Sequence, residues 1–308
     1  MHITPLYVPA ARIAACLPDV DGRVELAEHT LLTTGHGRSR HGSAVVSPRP
    51  GAVASAGITH VLTGDVLAMH TTCTHPSNPA NGIPLVNGEI ILRDAATGRL
   101  RAVLPAPELA DSALAATLGV AIRRWAPTAW MRIAVLGGGT FAQEAIDVAT
   151  TLNPYATVVI YDRDRARAET VAGATYIADS VEQAVLGAEI IVSCSPFGQA
   201  LDEGLRPRML PAQCLLIVCD GDAVVRSTTA RRADLVVTDD LDAFNAQRKR
   251  GALEKWPKAH AMGTRLRRDD SPDVVVAMLL GHPALQAAFA QTAHAAARDT
   301  GAGVELPA

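Results

Sequence analysis

The sequence is short of cysteine, of net charge and of long apolar runs, and each shortage excludes a class of function. Its five cysteines are an odd number without tight spacing, which argues against a disulfide framework and against a zinc knuckle. The formal net charge of -3 gives no electrostatic reason to bind nucleic acid or an anionic membrane. No apolar run approaches the roughly 18 residues of a membrane span, and no signal-peptide pattern begins the sequence. We therefore expect a cytoplasmic protein without a metal site.

From about residue 130 the sequence repeats short apolar segments separated by helical or turn-forming stretches. Strands that are apolar at every position belong to a parallel sheet covered on both faces. The predicted strands are Arg132 to Leu136, Thr157 to Tyr161, Thr175 to Ala178, Glu189 to Cys194, Cys214 to Cys219 and Asp234 to Thr238. Six such strands with crossovers predict an α/β fold with a doubly wound parallel sheet of the Rossmann type.

A glycine-rich turn follows the first of these strands. Gly137, Gly139 and Ala142 fit the pattern G-x-G-x-x-A between a strand and a helix. The first glycine allows a tight turn, the second lets the backbone approach a pyrophosphate, and the small third residue lets the helix pack on the strand. Thr140 and Phe141 begin that helix, whose free N–H groups and partial positive charge suit a phosphate. The turn and the start of the helix therefore predict a dinucleotide cofactor site.

The second strand is followed by Asp162, at the distance where a carboxylate accepts a hydrogen bond from the cofactor ribose. The alternative role for Asp162 is that of a helix N-cap. A carboxylate at this position favours NAD, whereas the nearby Arg163 and Arg165 could neutralise the 2′-phosphate of NADP. The pattern therefore predicts NAD or NADP as the cofactor and leaves the choice open.

The first 120 residues differ in composition, with Gly, Pro, His and Ser frequent between residues 35 and 51. Residues 88–98 indicate a strand entering a turn, and an apolar helix is predicted from Pro107 to Trp125. A second helix, rich in alanine, is predicted from Pro283 to Thr300. We expect an α+β domain over residues 1–120, joined by a helix in residues 283–308, and a dinucleotide-binding domain over residues 121–282.

Four stretches carry a resemblance to a known family through their order and spacing: His75 to Pro84, Ile91 to Gly98, Gly137 to Ala142 and Ser193 to Ser195. Together they resemble the ornithine cyclodeaminase/mu-crystallin family over nearly the whole chain. The resemblance implies a nicotinamide domain with Ser195 beside the cofactor, and a substrate domain in residues 1–120 that also builds a homodimer. It also implies a small substrate, an imino or amino acid, with hydride exchange at a carbon atom bonded to nitrogen.

The resemblance further implies particular site residues. Arg49 corresponds to the family's first carboxylate-binding arginine, a task that suits the planar guanidinium group. The family's second arginine falls on Ala113, so this part of the carboxylate site is absent. The acidic residue after the fifth strand falls on Asp220 or Asp222, at the edge where doubly wound sheets bind ligands. We expect one of these two aspartates to be catalytic.

The family lysine falls on His70 or on its neighbour Met69. An imidazole titrates near neutrality, so His70 could donate a proton to an imine nitrogen or remove one in the reverse direction. A structural histidine is the alternative interpretation, and His75 is a second, weaker catalytic candidate. We retain His70 as a predicted catalytic residue.

Three functions are compatible with these residues. The complete dinucleotide signature favours the first, an NAD(P)-dependent imine reductase or amino-acid dehydrogenase in which His70 and an aspartate move protons. The second is an amino-acid cyclodeaminase with recycled NAD, which the absence of an arginine at Ala113 opposes. The third is a non-catalytic ligand-binding protein like mu-crystallin, which is compatible with the missing lysine.

Overall fold

The structure is a computed structural model, and it describes residues 4–34, 40–46, 55–75, 77–81, 83–195, 204–267 and 272–307. The chain divides into two compact units. The first unit combines Met1–Ala113 with His282–Ala308, and the second unit is Leu114–Gly281. The division falls inside a long helix, Ala106–Trp125.

Short strands and helices alternate along most of the chain. The described strands are β1 (Leu6–Tyr7), β2 (Arg40–Val46), β3 (Ser55–Thr63), β4 (Val66–Thr74), β5 (Val86–Asn87), β6 (Glu89–Asp94), β7 (Leu100–Pro105), β8 (Arg132–Leu136), β9 (Thr157–Tyr161), β10 (Tyr176–Ile177), β11 (Ile190–Ser193), β12 (Cys214–Val218), β13 (Leu235–Thr238), β14 (His260–Ala261), β15 (Val274–Met278) and β16 (Val304–Glu305). The described α-helices are α1 (Ala10–Cys16), α2 (Val20–Thr34), α3 (Ala106–Trp125), α4 (Thr140–Leu152), α5 (Arg165–Glu169), α6 (Val181–Val185), α7 (Ser227–Ala230), α8 (Leu241–Lys249), α9 (Met262–Arg265) and α10 (Pro283–Thr300). Two short 3-10 helices of the described residues span Asn78–Asn81 and Pro207–Met209.

The first unit contains a mixed sheet. Its described strands follow the order β16-β1-β7-β6-β4-β3-β2, with β5 beside β4. Strands β1 and β7 run parallel, and the other neighbouring pairs run antiparallel. Strands β3 and β4 join through Gly64 and Asp65, where Gly64 has a φ of 58°, a conformation that glycine adopts without steric cost.

Helix α10 packs against this sheet and belongs to the first unit. Its buried face is made largely of alanines such as Ala287, Ala290 and Ala293, whose small side chains let a helix lie close to a sheet. The sheet contributes buried residues such as Ile90 and Leu92 of β6. The helix begins and ends at the residues that the sequence predicts.

The second unit contains a parallel sheet in the order β10-β9-β8-β11-β12-β15-β13-β14. All pairs of neighbouring strands run parallel. Every residue of β12 and β15 is buried, because both faces of the central strands are covered. The predicted α/β fold with a doubly wound sheet is confirmed.

The predicted set of six strands was incomplete, since the described sheet has eight. The missing strands are β14 and β15, and β15 lies between β12 and β13 in the sheet. Strand β14 has two residues, too few to show a hydrophobic pattern. None of the described helices has the length and hydropathy that a membrane span requires.

Candidate cofactor and catalytic site

The glycine turn between β8 and α4 is tightly packed at its first two positions. Gly137 has a φ of 131°, and a Cβ atom there would lie 2.5 Å from the carbonyl oxygen of Cys194. A Cβ atom at Gly138 would lie 3.0 Å from the backbone nitrogen of Ala168 in α5. The fold itself therefore requires glycine at Gly137 and leaves little room at Gly138.

The third glycine, Gly139, has room for a Cβ atom. The nearest atom to a Cβ built there, apart from its chain neighbours, is Nη2 of Arg167 at 3.7 Å. Gly139 is the N-cap of α4, and as a glycine it has no side chain to cap this helix end. The predicted loop residues continue with Thr140, which is exposed, and Phe141, which is half-buried. Ala142 is fully buried, as its predicted packing role requires.

Asp162, which follows β9, is bonded directly to the glycine turn. Its Oδ2 atom accepts a hydrogen bond of 2.7 Å from the backbone N–H of Gly138. Its Oδ1 atom accepts one of 2.8 Å from the N–H of Asp164. The N-cap of α5 is Asp164, whose side chain accepts from Ala166, so Asp162 does not cap this helix. The two hydrogen bonds position the Asp162 carboxylate beside the turn.

The arginines after Asp162 have different surroundings. Arg163 is exposed, as its predicted role at a cofactor phosphate allows. Arg165 forms ion pairs with Glu169 at 3.1 Å and with Asp179 at 2.7 Å. Arg165, one of the two arginines expected near a 2′-phosphate, is therefore already paired with carboxylates of the protein.

A buried aspartate follows β12. Asp220 is 2% exposed, and its Oδ2 atom accepts hydrogen bonds from Oγ of Ser193 at 2.5 Å and from the N–H of Ser195 at 3.0 Å. Its Oδ1 atom is buried and has no hydrogen-bond partner among the described residues. One carboxyl oxygen is thus fixed by the chain end of β11, while the other has unused bonding capacity.

Burial raises the pKa of Asp220 to about 6, and the hydrogen bond from Ser193 partly opposes that shift. The charge of Asp222 adds a small increase in the same pKa. Asp222 itself is exposed, so the two predicted aspartates differ sharply in environment. A carboxyl group with a pKa near 6 can exist in either protonation state close to neutral pH, which suits a general acid or base.

Four adjacent strands contribute to this site from their carboxyl ends. The strands are neighbours in the order β9-β8-β11-β12, and they are followed by Asp162, Gly137, Cys194 and Cys219 with Asp220, respectively. Burial raises the pKa of both thiols well above its usual range, so neither cysteine is a thiolate nucleophile at neutral pH. The chain order reverses between β8 and β11, which is where doubly wound sheets bind ligands.

His70 belongs to the first unit, in β4. It lies on the sheet face that also carries the buried Val66 and Ala68, and its ring hydrogen-bonds with the side chain of Gln286 in α10. Its Nε2 atom is buried and has no hydrogen-bond partner among the described residues. Burial lowers the pKa of His70, and the Gln286 bond opposes this shift, so the ring is neutral at pH 7.

The other predicted residues are distributed as follows. Arg49 lies outside the described residues. His75 is exposed, and Met69 is half-buried. Ala113, where the resemblance places a second arginine, is 2% exposed within α3. The sequence motif predicts Ser195 as a site residue, but it gives no signal that Ser193 donates to Asp220.

The chain is similar to several known proteins. A protein of Rhizobium meliloti (strain 1021) that bears the name "Putative dehydrogenase" is 27% identical over 249 residues, covering 73% of this chain and 75% of the relative. The fold is similar to Thermococcus litoralis Delta(1)-pyrroline-2-carboxylate reductase in complex with NADH and L-proline, with a TM-score of 0.84, 16% identity, and coverage of 98% of this chain and 100% of that one. It is also similar to Paracoccus denitrificans iminosuccinate reductase in complex with NAD+, with a TM-score of 0.82, 18% identity, and coverage of 99% and 100%. Residues 56–243 match the family model, and the chain belongs to the ornithine cyclodeaminase/mu-crystallin family, as its sequence motifs predict.

Proposed function

We propose that the protein is a nicotinamide-dependent oxidoreductase that acts on a carbon–nitrogen bond, as an imine reductase or amino-acid dehydrogenase. The observation that carries this proposal is Asp220, a buried carboxyl group beside the glycine turn with one fixed oxygen and one unpartnered oxygen. A non-catalytic binding protein has no need for such a group, because an unpartnered buried carboxyl oxygen lowers stability. Two solved proteins of similar fold, named as reductases, support the same reaction class.

The residues of the second unit fit a dinucleotide. The open face at Gly139 and the N-terminal end of α4 suit a pyrophosphate, and Asp162 suits a ribose hydroxyl. The carboxylate of Asp162 supports NAD, while the exposed Arg163 keeps NADP within the proposal. Ser195 would lie beside the cofactor, and its backbone N–H donates a hydrogen bond to the carboxyl group of Asp220. When bound, the nicotinamide would supply or accept the hydride.

Asp220 would handle the proton of this reaction. In its protonated form, Oδ1 would donate a proton to the nitrogen of an imine as the adjacent carbon is reduced, and the carboxylate would take it back in the reverse direction. Ser193 and the N–H of Ser195 would keep the carboxyl group in one orientation through Oδ2. His70 is the alternative proton carrier, and Arg49 would bind the substrate carboxylate.

The same residues favour a reductase over a cyclodeaminase. At Ala113 the chain has a buried alanine where the family resemblance implies a second arginine. A substrate carboxylate would then be bound by Arg49 alone, without a second guanidinium group. The absence of that group weakens the case for a cyclodeaminase. As the family resemblance implies, the proposed enzyme is a homodimer that acts on a small imino or amino acid.

The test is a screen of the full-length protein for NADH and NADPH oxidation with cyclic and open-chain imino acids. On a substrate that responds, Asp220→Asn should lower turnover by about 10²- to 10⁴-fold while nucleotide affinity is retained. Asp222→Asn and His70→Asn are the comparison variants. A larger loss in either of them would move the proton-transfer role to that residue.

A silent wild type would contradict the proposal. If the protein bound NADH yet oxidised it with no member of a broad imino-acid panel, and reduced NAD+ with no amino acid, the non-catalytic binding function would replace the enzyme.

A further inference from the structure

Helix α5 is packed directly onto the glycine turn. A Cβ atom at Gly138 would lie 3.0 Å from both the carbonyl carbon of Arg167 and the backbone nitrogen of Ala168. Ala168 is fully buried, and the carboxylate of Asp162 connects the start of this segment to Gly138. The position of the Arg167 backbone relative to the turn is therefore fixed by packing and not by a flexible loop.

From this backbone position, the Arg167 side chain reaches the open face of the turn. Its Nη2 atom is the nearest group to a Cβ atom at Gly139, at 3.7 Å. The side chain of Arg167 forms no ion pair or hydrogen bond with any described residue, whereas Arg165 pairs with Glu169 and Asp179. Two arginines separated by a single residue thus differ in whether the protein neutralises them.

The placement of Arg167 adds positive charge where positive charge is already present. The N-terminal end of α4 carries the partial positive charge of the helix dipole, and its N-cap residue, Gly139, has no side chain to cap it. The carboxylate of Asp162, bonded to Gly138, offsets part of this positive charge, and the Arg167 guanidinium adds a second cationic group that would attract an anion to the helix end. The Arg167 guanidinium, the helix end with its glycine N-cap and the room at Gly139 therefore fit one site for a phosphate group.

We propose that Arg167 binds the pyrophosphate of the dinucleotide and closes the phosphate site from the side of α5. This inference rests on the proposed function, since it assigns a further residue to the same cofactor. It assigns the phosphate-contacting arginine to Arg167 and not to Arg165. Because NAD and NADP share the pyrophosphate, Arg167 contributes to the affinity for both, and the choice between them is made elsewhere.

The experiment is a fluorescence titration of the full-length protein with NADH and, separately, with NADPH. Arg167→Gln should weaken the binding of each nucleotide that the wild type binds by roughly tenfold, the loss expected for a charge-assisted contact to phosphate. Arg165→Gln is the matched control, since it removes the same charge from the same helix, and it should leave both affinities within about twofold of the wild type. Thermal unfolding of each variant checks that the fold is retained.

The outcomes separate this inference from the proposed function. Unchanged nucleotide affinity in Arg167→Gln would overturn the inference and leave the proposed function standing. A loss with NADPH alone would also overturn it, because it would place Arg167 at the 2′-phosphate. Failure of the wild type to bind either nucleotide would remove the proposed function, and this inference with it.

Discussion

Three consecutive glycines in the turn after β8 have different physical reasons to be glycine. Gly137 has a positive φ, and a Cβ atom there would clash with the backbone of Cys194, while a Cβ atom at Gly138 would press on the backbone of α5. These two contacts are internal to the fold, so they would exist in a protein that bound nothing. A Cβ atom at Gly139 would meet no backbone atom within 4 Å, and the proposed pyrophosphate would approach the main chain at this position.

Alanine substitutions should therefore separate folding from binding. Gly137→Ala should lower the free energy of unfolding by about 2 kcal/mol or more, because it combines a positive φ with a backbone clash. Gly139→Ala should change the stability little and weaken NADH binding, since its methyl group would occupy the space of the pyrophosphate. Chemical denaturation and NADH titration measure the two effects. Wild-type NADH affinity in Gly139→Ala would contradict the assignment of the open face to a phosphate.

At the scale of elements, the parallel sheet was the most predictable part of the molecule. Strands β8 and β9 begin and end where the sequence predicts, because a strand covered on both faces is a continuous apolar run bounded by polar residues. Strand β15, Val274 to Met278, is also a continuous apolar run, but it was not among the predicted strands. Its place between β12 and β13 depends on contacts across the sheet, which the order of residues along the chain does not contain.

The first unit was harder to predict, for a related reason. Its sheet is largely antiparallel, and β4 mixes buried Val66 and Ala68 with polar residues such as His70 and Thr72. Such strands lack the continuous apolar run that marks β8. The pairing of β1 with β16 joins residues close to the two ends of the chain, which no local pattern could indicate.

The residues of the candidate site also differ in how far the sequence could predict them. Gly137, Gly139 and Asp162 could be predicted, because the motif that contains them is local and has a fixed spacing. The bond between Ser193 and Asp220 joins two strands, and it depends on β11 and β12 being neighbours. The position of Arg167 depends on how α5 packs on the turn, so the sequence did not indicate it; the sequence named Arg163 and Arg165, and only for the 2′-phosphate of NADP.

The hydrogen bond from Ser193 to Asp220 should influence the pH dependence of the proposed reaction. The Ser193 hydroxyl lowers the pKa of Asp220, so its removal should raise that pKa further above its ordinary value. Reduction of an imine needs the protonated acid, and its rate should fall as pH rises through the pKa of about 6. In Ser193→Ala the fall should shift to higher pH by roughly one unit, which corresponds to the loss of about 1.4 kcal/mol of hydrogen bonding.

The neighbouring serine provides the control for this experiment. Ser195 donates to Asp220 through its backbone N–H, so Ser195→Ala retains that bond and should leave the pH midpoint of kcat unchanged. A midpoint that is the same in Ser193→Ala and in the wild type would show that Asp220 does not set the pH dependence.

At the scale of the whole molecule, Asp220 links the proposed chemistry to the stability of the fold. Burial raises its pKa from 3.8 to about 6, so the folded protein binds this proton more tightly than the unfolded chain does. This tighter proton binding stabilises the folded protein. Its contribution is fully present below pH 3.8 and is lost as pH rises through about 6. At pH 8 the ionised, buried carboxylate therefore lowers the free energy of unfolding by about 3 kcal/mol at most.

Asp220→Asn should remove this pH-dependent penalty, because the amide oxygen can accept the bonds from Ser193 and Ser195 and the amide does not ionise, while its NH2 group at the unpartnered position adds a cost that does not change with pH. We expect the stability of the variant relative to the wild type to be higher at pH 8 than at pH 4 by about 2–3 kcal/mol, because the wild-type carboxyl group is ionised at pH 8 and protonated at pH 4. Urea denaturation at the two pH values measures the difference, and other titrating groups cancel between the two proteins. A stability difference that is the same at pH 4 and pH 8 would mean that Asp220 titrates normally. A relative stability that rises between pH 4 and pH 8, together with lower turnover, would indicate that the carboxyl group is retained for its chemistry at a cost of about 2–3 kcal/mol to the fold at pH 8.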